Sequence, residues 1–417
     1  MHGSSRRRGS CHSAFSDGCV SLYCVNIWSV MCGDAVIMND NVLTFEDVRF
    51  SYPGRPASLN GISFSIKRGK KVAVVGPNGA GKTTLLLMCN GTLVPESGKI
   101  LVNGEEIAYD RVSLRDVRTR VGLVFQNSDS QIFAPSVYAD VAFGPMNLHL
   151  SEEEILERVS DSLFAVGLVD YDKRPPHHLS GGEKKRVAIA GILAMRPDIL
   201  VADEPTASLD PATAAEIMDL LDELHEDGTT ILLSTHDVEL AYAWADEVIL
   251  LAEGMVLHQG EPAEVFTSYE LMTKARMTPP VLLDLYMELV RRNILAQGIP
   301  PKGIPEMTRL IEGSCPIVTG TIYLADTDSL TPSLAQQMQA EHPAWHTGAM
   351  GTRAKKFCYL SEISLEYTHG VVDKCLLSVM SGEDTLILTC GGMLDRVELR
   401  AATFSKESGI EVQVIRI

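Results

Sequence analysis

Residues 76–84 read Gly76, Pro77, Asn78, Gly79, Ala80, Gly81, Lys82, Thr83 and Thr84, and the chemistry such a run offers is the holding of a phosphate. Gly76, Gly79 and Gly81 allow the backbone to curl until successive N–H groups point inward. A helix opening near Lys82 adds the positive end of its dipole. Lys82 has the reach for β- and γ-phosphates, and the Thr83 hydroxyl is a ligand for Mg²⁺. About 120 residues further on, Asp203 and Glu204 end an apolar run. Neighbouring side chains alternate faces along a strand, so one carboxylate can serve a metal while the other faces a nucleophilic water. His236 follows a third apolar run, at the carboxyl edge where ligands meet parallel sheets.

Two other stretches carry double readings. Tyr52, about 25 residues before the loop and followed by Pro53, fits either a turn aromatic or a ring that stacks on a base. Ser180, Gly181, Gly182 and Glu183 have capping-box spacing. A cap does not require two glycines at a helix start, and a serine with two glycines there also makes an anion-binding surface.

The elements that must position these residues follow from pattern. β-rich runs at 42–45, 48–50 and 62–66, separated by turn residues, predict antiparallel strands. Residues 71–75 predict a buried strand feeding the glycine loop, and the helix through Cys89 ends at Gly91. Residues 123–126 predict a strand ending at Gln126, with a loop through Pro135. Ser151 and Glu154 form a capping box, after which Ile155, Val159, Leu163 and Val166 recur at helical spacing until Gly167. Asp210 and Pro211 supply an N-cap and a first-turn proline for a helix whose buried stripe is Ile217, Leu220, Leu221 and Leu224. Residues 199–205 and 230–234 read as strands. This alternation predicts an α/β fold with a mostly parallel core.

A chain of 417 residues has room for two or three domains. Its 45% hydrophobic and 22% charged composition is that of a globular protein. A formal charge of −18 argues against a nucleic-acid binder, whose footprint is basic. Nine cysteines show no paired CxxC spacing, which indicates neither a zinc site nor a redox motif. The uncharged stretch 18–33 is shorter than the roughly 20 residues of a spanning helix, and Arg6, Arg7 and Arg8 before it imitate a signal peptide. Residues 1–37 are expected to be a poorly ordered leader or an upstream mis-start, with Met38 the natural beginning.

Together Tyr52, residues 76–84, Gln126, the Leu179–Glu183 signature, residues 199–204, Ser208, Leu209 and Asp210, and His236 resemble the ATPase subunit of ATP-binding-cassette transporters over about 42–256. Lys184 stands where many relatives carry Gln. Residues 126–133 and 141–145 resemble the energy-coupling-factor importers, the cobalt/nickel group most closely, and residues 278–280 and 304–307 resemble that group's small helical tail. The resemblance implies a phosphate-loop α/β cassette with an antiparallel β subdomain and a helical subdomain, binding ATP and Mg²⁺. It implies that Tyr52 stacks on adenine, that Lys82, Thr83 and Asp203 hold phosphates and Mg²⁺, and that Glu204 acts on the attacking water. Gln126 would contact metal or water and report nucleotide state, and His236 would touch the γ-phosphate. Ser180 and Gly182 would close over ATP held by a second copy or a paralogue, head to tail, with Asp210 crossing that interface. The expected partners are a membrane-spanning coupling subunit and a substrate-binding membrane subunit, with this chain peripheral on the cytoplasmic face. The rival readings are a vitamin-type importer ATPase, a soluble ATPase of DNA repair or translation, and a nucleotide sensor. The repair and translation relatives usually carry a coiled-coil insertion or a second cassette, and neither is in this sequence.

The expected organisation is residues 1–40 as leader, 41–278 as ATPase domain, 279–315 as helical tail, and 316–417 as a smaller C-terminal α/β domain. In the last of these, 316–324, 385–390 and 411–417 read as strands and 333–340 and 393–408 as helices. Two glycine turns there, 346–353 with Lys355 and Lys356 beside it, and Gly391 with Gly392, read as ordinary turns or as weak anion sites. Scattered Cys and His residues read as core groups in preference to a metal sensor. The role expected of this region is regulation or ligand sensing.

Overall fold

The computed structural model describes residues 40–312, 319–368 and 370–417, so the expectations for residues 1–37 and for the start of the 316–324 run lie outside the described residues. The central sheet has six strands in the order Met255–Gly260, Glu247–Ala252, Lys71–Val75, Thr230–Thr235, Ile199–Asp203, Val121–Val124. All pairings are parallel except that of the Met255–Gly260 edge. Ile199–Asp203 and Thr230–Thr235 are buried throughout, as strands covered on both faces must be. Alternation sends Ala73, Val75, Leu200 and Ala202 into one core, and Val72, Val74, Ile199 and Val201 into the other.

The first core is shared with the helices Val137–Asn147, Glu152–Ala165 and Gly181–Leu193, which form a helical lobe. The second is closed by an antiparallel sheet of Ala57–Lys67, Asn41–Ser51, Ser97–Val102 and Glu105–Glu106. The two short runs expected at 42–45 and 48–50 are one strand, Asn41–Ser51. A register shift between Phe45 and Val48 and a positive φ at Asp47 make the break a bulge, not a turn. The strand before Gln126 is Val121–Val124, so Gln126 stands just beyond it. The tail helices Val281–Arg291 and Ile304–Glu312 bury Leu283, Tyr286 and Met307 in the first core.

A third sheet, all parallel, runs His346–Ala349, Thr385–Thr389, Thr321–Asp326, Gln413–Arg416. Helices Pro332–Glu341 and Thr352–Leu360 pack on one face, Val371–Met380 and Met393–Ser408 on the other. The final strand is Gln413–Arg416, shorter than the expected 411–417. Among the described residues no helix is long and apolar enough to cross a membrane.

Candidate active site

The strand Lys71–Val75 ends at a loop whose glycines do different work. Gly79 (φ 82°) and Gly81 (φ 108°) take left-handed conformations that side chains resist. Gly76 does not; a Cβ there would stand 2.1 Å from the Leu251 carbonyl oxygen, so its role is close packing, not conformational freedom. The loop delivers the helix Lys82–Cys89. Gly91, with φ 66°, follows its end and donates to the Met88 carbonyl at 3.1 Å.

Three side chains named from sequence meet at the carboxylate of a fourth. Glu204, 13% exposed, accepts from Gln126 Nε2 at 3.3 Å, lies 3.2 Å from His236 Nδ1, and stands 3.8 Å from Lys82 Nζ. Its backbone has φ 41°, a conformation non-glycine residues adopt at a cost of order 1–3 kcal/mol. Lys82 Nζ donates to the Gly76 carbonyl at 2.7 Å. Burial pushes the Lys82 ammonium below its usual pKa, against the pull of Glu204 and Asp203.

Asp203, the last residue of its strand, turns to different partners, the left-handed φ of Glu204 breaking the strand between them. Thr83 Oγ1 donates to its Oδ2 at 2.8 Å, and Ser234 Oγ donates to Oδ1 at 2.5 Å. Thr83, Asp203 and the Gln126 amide present hard oxygen donors, the set that suits Mg²⁺. Tyr52 Oη lies 3.4 Å from Thr84 Oγ1. Tyr52, Asn78, Gly79, Lys82, Glu204 and His236 line a cleft of about 920 Å³, large enough for a nucleotide.

Ser180 and Gly182 are not among the residues lining that cleft. Ser180 caps the helix Gly181–Leu193 in a reciprocal box with Glu183, whose other oxygen accepts from Tyr171 Oη at 2.8 Å. Gly182 abuts the helix Pro211–Glu226, where a Cβ would meet Thr213 Cγ2 at 2.3 Å. Asp210 caps that same helix through the Thr213 N–H at 3.0 Å. Locally, therefore, the signature is a cap and a packing contact.

Two residues that bear on the site escape a linear reading. Ser234 also accepts from the Glu204 N–H at 3.0 Å, so it holds the Asp203 carboxylate and the backbone of Glu204; the parallel register opposite Asp203 brings it there. Lys185, buried in the signature helix, donates to the carbonyls of Phe125 at 3.0 Å and Gln126 at 2.9 Å. It ties the helical lobe to the backbone that aims Gln126. Burial pushes its ammonium down to about 8, and Asp203 opposes that.

The two glycine turns near the C-terminus are filled by the chain itself. Gly351 leads into Thr352–Leu360, and the Thr352 N–H donates to Glu223 Oε1 at 2.6 Å. A Cβ on Gly392 would stand 2.9 Å from Glu226 Cβ. Cys358, Cys375 and Cys390 are buried thiols, and among the described residues no group of three His, Cys, Asp or Glu is arranged to hold a metal.

Residues 59–207 match the ABC transporter family. The chain is 46% identical over 380 residues to an energy-coupling factor transporter ATP-binding protein of Methanospirillum hungatei, covering 89% of this chain and 96% of that one. It is 53% identical over 252 residues to an energy-coupling factor transporter ATP-binding protein of Methanocaldococcus jannaschii, covering 60% of this chain and 90% of the relative. Among solved structures it is similar to cbiO1 of Clostridium perfringens, described as part of the transporter complex cbiONQ, at 41% identity and a TM-score of 0.52, over 61% of this chain and 99% of that one.

Proposed function

This chain belongs to the ABC transporter ATPases, among relatives named for energy-coupling factor transporters, and from that premise we propose that it powers uptake of a transition-metal ion, cobalt or nickel, through membrane partners. The observation that carries the catalytic half is the meeting of Lys82, Gln126 and His236 on Glu204 beside the phosphate loop. Tyr52 stacks on the base, and the N–H groups of residues 76–84 with Lys82 hold the phosphates. Glu204 orients the attacking water and takes its proton, and His236, within reach of the same carboxylate, meets the γ-phosphate side. Thr83, Asp203 and Gln126 are the residues that would hold magnesium, which when bound neutralises phosphate charge. Ser180 and Gly182, which do not line their own chain's cleft, complete the site of a second copy or a paralogue.

Coupling to a membrane partner has a physical route. Gln126 lines the nucleotide cleft, while Phe125, Gln131 and Phe133 line a separate groove of about 640 Å³ between the core and the helical lobe. One short stretch thus touches both. Phe133 and Phe143 stack edge to face at 4.8 Å and are 65% and 49% exposed, an apolar pair suited to a helix from a membrane subunit. Such an apolar pair supports the reading of this chain as a peripheral subunit on the cytoplasmic face. The metal-ion reading is supported by the resemblance of residues 126–133 and 141–145 to the cobalt/nickel group and by likeness to the Clostridium protein.

The test is the double variant Phe133→Asp, Phe143→Asp, assayed with and without membrane subunits that co-purify with the unmodified chain. Basal hydrolysis should stay within about twofold, since exposed sites away from buried features tolerate change. Stimulation by the membrane subunits, and uptake of labelled nickel or cobalt into vesicles, should be lost. Unchanged stimulation would remove the groove from its role, and uptake of a vitamin in place of the metal would overturn the solute.

A further inference from the structure

The C-terminal module, residues 319–417, reaches two parts of the ATPase at once. Toward the core it engages the outer half of the helix Pro211–Glu226. Lys355 Nζ pairs with Asp219 at 2.5 Å, Arg396 pairs with Asp222 at 2.5 Å, and the Thr352 N–H sits on Glu223. Gly351 takes φ 91°, a conformation that favours glycine, and a Cβ there would stand 2.2 Å from Glu223 Oε1 and displace that carboxylate. Toward the helical lobe the same short helix, Thr352–Leu360, packs on Glu152–Ala165. Gly167 lies so close that a Cβ would meet Thr352 Cγ2 at 2.3 Å, and the Arg353 guanidinium lies 5.8 Å from the Phe164 ring centre. Thr352 and Arg353 are therefore wedged between lobe and core.

The gripped helix leads back to the chemistry. Its first residue follows Asp210, six positions after Glu204, and its first turn carries Thr213 against Gly182 of the signature. A cavity of about 200 Å³ remains where lobe, core and module meet, lined by Phe164, Leu224, Glu223, Arg353, Cys390 and Gly392. Around it the polar pairs join the module to the core, and the packing of Thr352 and Arg353 on Gly167 and Phe164 joins it to the lobe.

We propose that the C-terminal module is an intramolecular brace that restrains hydrolysis by holding the helical lobe and the core at a fixed angle. This rests on the reading of Ser180 as the group that completes a partner's site. Moving Ser180 toward that partner turns the helical lobe against the core. Any such turn must slide Phe164 under Arg353 or pull Thr352 from Glu223. The braced arrangement is the resting one, and releasing it shifts the population toward closure.

The test is the full-length double variant Lys355→Glu, Arg396→Glu, which sets like charges against Asp219 and Asp222 and touches no residue of the cleft. Hydrogen exchange in 352–360 and in 219–226 should rise, and steady-state ATP hydrolysis should rise about fivefold or more, the lower range for coupled sites. Raised exchange with hydrolysis unchanged or reduced would overturn the brace. Unchanged exchange would overturn the claim that these pairs hold it. Hydrolysis by the unmodified chain and by Glu204→Gln is measured alongside. Activity that does not depend on Glu204 would count against the catalytic reading, whereas Glu204-dependent activity that ignores the double variant would count against the brace alone.

Discussion

Replacing Glu223 by Gln should remove its share of the pH dependence of the C-terminal module's attachment, leaving that of Asp219, whose carboxyl burial also raises against the pull of Lys355. Burial pushes the Glu223 carboxyl from 4.5 up to about 7, aided by Asp219 and opposed by the Thr352 N–H, Arg353 and Lys355. A raised carboxylate is stabilising in its protonated form, so its contribution is complete below about pH 4.5 and is lost as pH rises through about 7. At 1.36 kcal/mol per pKa unit the loss approaches about 3 kcal/mol by pH 8. Glutamine keeps the oxygen that accepts from Thr352 and carries no charge to desolvate. Calorimetric unfolding of both proteins at pH 5 and pH 8 should show near-equal stability at the lower pH, and the variant the more stable by up to about 3 kcal/mol at the higher. Comparing the two cancels His346, whose imidazole is raised by Glu366, with Glu383 adding, in both proteins. The reasoning fails if the difference between variant and parent is the same at both pH values, or if the variant is the weaker at pH 8.

Glu204→Gln should leave ATP binding intact and slow hydrolysis by ~10²–10⁴-fold, the usual worth of a positioned acid–base group; near-normal turnover would remove Glu204 from that role. Ser180→Arg should block closure while single-site nucleotide binding, followed by fluorescent ATP, persists. Undiminished steady-state hydrolysis in the fully mutated dimer would contradict the head-to-tail sandwich.

Interactions spanning few residues were open to inspection in the one-dimensional string. The Ser151–Glu154 and Ser180–Glu183 boxes and the Asp210 cap with Pro211 all form where their types and spacing put them, because a cap satisfies N–H groups within one turn of itself. The phosphate loop belongs here too, since the groups that cradle an anion are its own backbone. The bulge at Asp47 was harder to see. Whether a chain turns or merely kinks between two β-rich runs depends on the neighbouring strand, and Ala57–Lys67 pairs straight across the interruption.

The tertiary structure alone decided what meets what. Asp203 finds Ser234 through the register of two parallel strands, which no local rule sets because a helical crossover separates them. Lys185 reaches the backbone around Gln126 across 59 and 60 positions of chain. Glu223 finds the Thr352 N–H across 129, filling with a carboxylate of this chain a turn that by itself reads as an ordinary turn or a weak anion site. Residue types and short spacings specify which groups are able to donate, accept or carry charge. Their partners are chosen by packing that buries distant segments against one another, since the apolar faces that drive it are non-directional and reward any arrangement that hides them.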